Sequence, residues 1–206
     1  VRLGLVGRRR GDAHIQLPLQ PERPHHKLVH QLRKRRRLRR RAAALARLLM
    51  EILSIEGVRE LLEIKGTKIH VQAEEADLVK KVTEVSDGDL EVHGPGDHIL
   101  VGEIRVDLLH TPGHTPGSQC FLVEGTLVAG DTLFLEGCGR TDLPGSDDAA
   151  MYHSIHHTLA KVPDDTVLFP GHRYSFHSSA TMGMTREMNY VFKPDSQEQW
   201  MMMFGQ

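Results

Sequence analysis

Three apolar runs in the second half of the chain end alike: LLHTPGH (108–114), LVAGD (127–131) and VLFPGH (167–172). Each closes on a glycine followed by a side chain able to bind a divalent metal, giving Gly113–His114, Gly130–Asp131 and Gly171–His172. Glycine allows dihedrals and close backbone approach that suit a residue turned inward off a strand end. Imidazole and carboxylate together suit zinc, iron or manganese. One Gly-His after a strand is ordinarily a turn. Three in one domain, in this order, make coincidence much less probable than a ligand role. Within HTPGH the spacing alone leaves His110 and His114 both open.

The surrounding sequence fits a layered α/β (α+β) sheet protein. TKIHVQ (67–72) alternates like a strand, and AEEADLVKKV (73–82) reads as a short helix. The turn GPGD (94–97) precedes the strand pair HILVG and EIRVDLLH. SQCFLVEG and TLVAGD form a further pair around a glycine turn. A helix is expected over 148–161, opened by Asp147 and Asp148, then the strand TVLFPGH and a helix after Ser179. Upstream, IEGVRELLEIKG (55–66) has helical spacing and a glycine stop. With 14 histidines in 206 residues, other clusters need weighing. His153, His156 and His157 are expected on a helix surface or boundary, and His70, His93 and His98 as ordinary surface or edge residues.

The net charge of −1 conceals two unlike pieces. Residues 1–50 hold 15 Lys and Arg against Asp12 and Glu22, a balance of +13; residues 51–206 hold 11 basic and 25 acidic residues, a balance of −14. The run RKRRRLRRR (33–41) could bind nucleic acid through phosphate neutralisation or serve in targeting. We favour a third origin, arginine-rich sequence read out of frame from GC-rich DNA. No apolar run approaches the ~20 residues of a membrane helix. Two cysteines, Cys120 and Cys138, suggest no disulfide framework and a reducing, cytoplasmic setting.

The motifs HTPGHTPGS, GDTLF, GCGRTD and PGHRYS, in that order, resemble the metallo-β-lactamase superfamily. Within it they are similar to the branch of glyoxalase II (hydroxyacylglutathione hydrolase) and persulfide dioxygenase. The resemblance covers about residues 55–206 and implies an αβ/βα sandwich with a metal site at one edge. It implies His114, not His110, as the ligand of HTPGH, Asp131 as a bridging carboxylate and His172 as the last ligand. Arg140 and Tyr174 match positions that contact the thiol part of the substrate, and Cys138 matches a packed loop position. The implied cofactor is one or two zinc ions, or a single iron in the dioxygenases. The implied partner is a small thiol or thioester, attacked by metal-activated hydroxide.

One family motif is absent. The HxHxDH signature should precede the helix beginning IEGVRELLE, but Leu49, Glu51, Leu53 and Ser54 stand at its His, His, Asp and His positions. We therefore divide the chain into a basic, non-native segment (1–54) and a metallo-β-lactamase-like domain (55–206) whose N-terminal part is incomplete or replaced. Weak metal binding and little activity are expected of the chain as written. An inactive domain with a nucleic-acid-binding basic arm is the alternative outside enzymology.

Overall fold

The computed structural model of the protein describes residues 68–205 together with Leu62. The basic segment, the 55–66 helix apart from the helical Leu62, and residues 49, 51, 53 and 54 lie outside the described residues.

The first described strand, β1 (Ile69–Gln72), pairs in parallel with β2 (Leu90–His93). Between them a single turn of 3₁₀ helix (Ala73–Glu75) leads into α1 (Ala76–Thr83), which ends on Glu84 in the left-handed conformation. A parallel pair needs such a crossover. The β2 strand was not expected, since LEVH is short and three of its four residues are not buried.

The main sheet has six strands in sequence order: β3 (His98–Val101), β4 (Ile104–His110), β5 (Gln119–Val123), β6 (Thr126–Gly130), β7 (Val167–Pro170) and β8 (Ala180–Thr181). Pairs from β3 to β6 are antiparallel hairpins, as the turn signals predict. β6 and β7 run parallel, because the chain crosses between them through a helix. Four successive residues of β6, Thr126 to Ala129, are buried, the mark of a strand covered on both faces.

Alternation sorts the apolar side chains to two sides. Cys120, Leu127, Ala129 and Leu168 pack with helix residues Met151, Ile155, Leu159, Met182 and Trp200. Val106, Leu108 and Val123 form a smaller cluster with Ile99, Ile104 and Phe121. The helix expected over 148–161 is present but not uniform. It runs as α2 (Asp148–His153), widens into a π turn (Ser154–Thr158) and tightens into a 3₁₀ turn (Leu159–Lys161). Asp147 caps it by accepting from the Ala150 N–H. Met151, Ile155 and Leu159 stay fully buried along this path. Two further helices follow, α3 (Met182–Met188) and α4 (Gln197–Phe204), the latter anchored by buried Trp200.

Of the histidine expectations, that of His93 needs correction. His156 is half-buried at the helix boundary, as expected: it stacks on Tyr152 with centroids 4.4 Å apart and its Nε2 lies 3.0 Å from the Val191 carbonyl. Burial holds its pKa below the ordinary value. His93 is buried and lies against His70, so neither is an isolated edge residue. His98 is an exposed position opposite Asp107, as expected.

Candidate metal centre

The three glycine-led strand ends meet at one edge of the sheet, and each glycine is there for a local reason. Gly113 has φ +144° and Gly130 φ +51°, values side chains rarely adopt. Gly171 passes so close to β6 that a Cβ would sit 2.9 Å from the Gly130 carbonyl and from Asp131 Oδ1. The HTPGH turn is moored at both ends of α2. The Asp147 N–H donates to the Gly113 carbonyl (2.8 Å), and Ser154 Oγ donates to the Pro112 carbonyl (2.6 Å). His110 bonds through Nε2 to the Pro116 carbonyl at 2.8 Å, closing the turn from the strand side.

Asp131 stands at the middle. Its Oδ2 is 3.7 Å from His114 Nε2, and its Oδ1 is 3.3 Å from His172 Nε2. The two imidazoles therefore address different oxygens of one carboxylate. His114 Nδ1 donates to the Arg140 backbone carbonyl at 2.8 Å, since a carbonyl can only accept. In the neutral ring this leaves Nε2 as a bare lone pair facing Asp131 Oδ2, with no proton between two acceptors. A divalent cation suits that arrangement, and the hydrogen bond behind the ring is the kind that orients ligand histidines. The donor set fits a metal of the zinc or iron type.

The side chains open into a cleft of about 500 Å³. One wall is aromatic: His172 stacks on Tyr174 (5.3 Å), and Phe134 meets Tyr174 edge-on (5.0 Å). Arg140 lines the cleft with its guanidinium turned to Asp142, making a two-pronged contact of 2.7 and 2.6 Å. That pair raises the Arg140 pKa and lowers that of Asp142. The Arg140 side chain is largely exposed, so water competes for its guanidinium and it can exchange partners. The Cys138 thiol also lines the cleft, but burial pushes it up to about 12, so it is a neutral packing group at ordinary pH.

Sequence reasoning missed three contributors. Glu136 and Tyr190 also line the cleft. Asn189, fully buried, accepts from the Gly137 N–H (2.8 Å) and donates to the carbonyls of Phe134 and Gly137 (3.0 Å each). Tyr190 and Asn189 arrive from beyond α3, more than 50 residues from the loop they serve. The only local signal was an amide in an apolar context, which is too common to read.

The sequence matches the metallo-beta-lactamase superfamily over residues 21–172, and the chain belongs to that superfamily. The match crosses the residue-55 boundary drawn where the family-like motifs begin. Among curated relatives, it is 46% identical over 79 residues to a probable hydroxyacylglutathione hydrolase of Schizosaccharomyces pombe, covering 36% of this chain and 30% of the relative. It is 32% identical over 111 residues to the mitochondrial persulfide dioxygenase ETHE1 of Mus musculus, covering 52% and 44%. The matched segment spans less than half the length of these relatives. Among solved structures, ETHE1 from Myxococcus xanthus superposes with a TM-score of 0.55 at 26% identity, covering 73% of this chain and 76% of that one. A protein solved in a di-iron-bound form superposes at 0.50 with 27% identity, covering 66% and 70%. The expected fold and branch are thereby borne out.

Proposed function

We propose that the protein is a metal-dependent hydrolase of a thioester of the hydroxyacylglutathione type, with His114, Asp131 and His172 as its metal ligands. The observation that carries this reading is the division of Asp131, one oxygen toward each imidazole, which suits a carboxylate shared by two ions. When bound, such ions lower the pKa of water toward neutrality and polarise a carbonyl oxygen.

The chain's own residues do the rest. The Arg140 carbonyl holds His114 in the tautomer that leaves Nε2 bare. Phe134 and Tyr174 form an apolar wall against which a thioester chain packs. Arg140, on exchanging Asp142 for a substrate carboxylate, fixes the thiol part of the substrate by a charge-assisted contact. Cys138, held neutral, does not compete with water as nucleophile.

With HxHxDH replaced, each ion draws one histidine and a shared carboxylate from the assigned residues, against the usual three or four ligands. Weak binding and little turnover are the result. The test is a chain carrying Leu49→His, Glu51→His, Leu53→Asp and Ser54→His, assayed for metal content and for thiol release from a hydroxyacylglutathione thioester. Two ions per chain that are lost on adding His114→Asn/His172→Asn, together with thiol release, support the reading; a chain whose cleft takes up two ions yet cleaves no thioester sinks it.

The second reading is a single-iron persulfide dioxygenase, favoured by the superposition on ETHE1 from Myxococcus xanthus. One iron per chain and oxygen uptake with a glutathione persulfide would identify it. The small-molecule partner and the cytoplasmic setting belong to this proposal. Both cysteines are free thiols, in keeping with a reducing compartment, and no described helix is long and apolar enough to cross a membrane.

A further inference from the structure

The parallel pair β1–β2 carries a second group of ligand-type side chains that shares no residue with the cleft. His70 stands opposite Glu91, and His93 lies two residues beyond Glu91, so the period of a strand puts all three on one face. His70 Nδ1 and His93 Nε2 are 2.8 Å apart, with the rings stacked at 5.0 Å. Glu91 Oε1 is 3.9 Å from His70 Nδ1, and the three donor atoms lie within 4.8 Å of one another. His93 is only 7% exposed. Its other nitrogen, Nδ1, faces Asp97 Oδ2 at 3.8 Å, and that oxygen is itself held by the Gly94 N–H at 2.7 Å.

Burial of His93 and its 2.8 Å contact with His70 separate the group from a chance meeting of polar residues. At 3.8 Å Asp97 Oδ2 lies outside hydrogen-bond range of His93 Nδ1, but a short side-chain rotation brings it within range, and a proton held there would leave Nε2 as the lone pair that meets His70. Two imidazoles and one carboxylate are the donor types of three-ligand zinc sites, which complete their tetrahedron with water. At Zn–N distances of ~2.0–2.1 Å, neighbouring ligands sit ~3.3 Å apart. The histidines need to part by ~0.5 Å, and Glu91 to close by ~0.6 Å on His70 and by up to ~1.5 Å on His93, all within the reach of side-chain rotation. Exposed Glu91 and half-exposed His70 can make those movements while buried His93 stays in place.

We propose that His70, Glu91 and His93 bind one zinc-type divalent cation that clasps β1 to β2, with Asp97 orienting His93. This holds whichever reaction the cleft performs. The test titrates Zn²⁺ into the full chain by calorimetry, in parallel with His114→Asn/His172→Asn, which removes the imidazoles of the cleft. One zinc equivalent is expected to survive in that double variant and to disappear when His93→Asn is added. Asp97→Asn is expected to weaken it about 10–100-fold, as loss of an outer-shell partner does, with the far-ultraviolet dichroism unchanged. In the unsubstituted chain, the Nδ1 resonance of His70 and the Nε2 resonance of His93 should move on zinc addition. Stoichiometry and affinity indifferent to His70→Asn and His93→Asn would overturn the proposal, as would ring nitrogens that do not respond.

Discussion

His114 donates its Nδ1–H to the backbone carbonyl of Arg140, 2.8 Å away, across 26 residues of sequence. The loop carrying the GCGRTD motif thus selects the tautomer of the neutral histidine in the HTPGH motif. Imidazole ¹⁵N spectra near neutral pH are expected to show His114 as the Nδ1–H tautomer. An Nε2–H tautomer would remove the argument for a cation between His114 and Asp131.

Asp131→Asn keeps the shape of the shared carboxylate but removes its charge. Zinc affinity at the cleft is expected to fall by more than about 100-fold, beyond the cost of losing an outer-shell partner. Since Asp131 is about one-third exposed, the metal-free protein should melt at nearly the unsubstituted temperature. Calorimetric titration beside a thermal melt separates the two effects.

Gly113→Ala should be strongly destabilising. The residue sits at φ +144°, and an added Cβ would lie 2.6 Å from the Met151 Cα. Backbone strain contributes ~1–3 kcal/mol, and displacing α2 from a packed core adds ~1–3 kcal/mol. Denaturant unfolding gives the number, and a loss below ~1 kcal/mol would contradict the packing described.

Asn189→Ala removes the side chain that joins α3 to the 134–138 loop. The Gly137 and Val191 N–H groups and the Phe134 carbonyl lose this partner, while the Gly137 carbonyl keeps the Phe134 N–H, and each unsatisfied buried group costs ~1–3 kcal/mol. The expected readout is lower stability together with faster amide exchange at Gly137. Exchange at Gly137 left unchanged would mean the loop holds itself.

Burial raises the thiols of Cys120 and Cys138 from an ordinary 9.0 to about 11 and about 12. The unfolded chain therefore loses these protons first. Their contribution to stability is intact below pH 9 and is lost as pH rises toward 11–12. Stability measured from pH 8 to 11 should fall at the alkaline end, and Cys120→Ser/Cys138→Ser should flatten that fall. Alkylation at pH 8 should be slow in the folded protein and fast in denaturant.

The local elements were legible because their causes are local. Alternation in EIRVDLLH, SQCFLVEG and TVLFPGH and the turn residues between them mark strands, and those strands are in the sheet. A glycine before each of His114, Asp131 and His172 marks the three strand ends, since φ and close approach act within a residue or two. The π turn inside the 148–161 helix was not legible, because both a regular and a widened helix place Met151, Ile155 and Leu159 toward a core.

What only the tertiary structure decided is which side chains meet. The sheet order puts β6 beside β7, and that neighbourhood brings Asp131 to His172 across 41 residues. The parallel register of β1 and β2 brings His70 to His93 across 23 residues that look unremarkable alone. Chain folding likewise carries Asn189 under a loop some 50 residues earlier. Periodicity and propensity are read along the chain. A ligand set, a shared carboxylate and a buried amide are properties of distances across it.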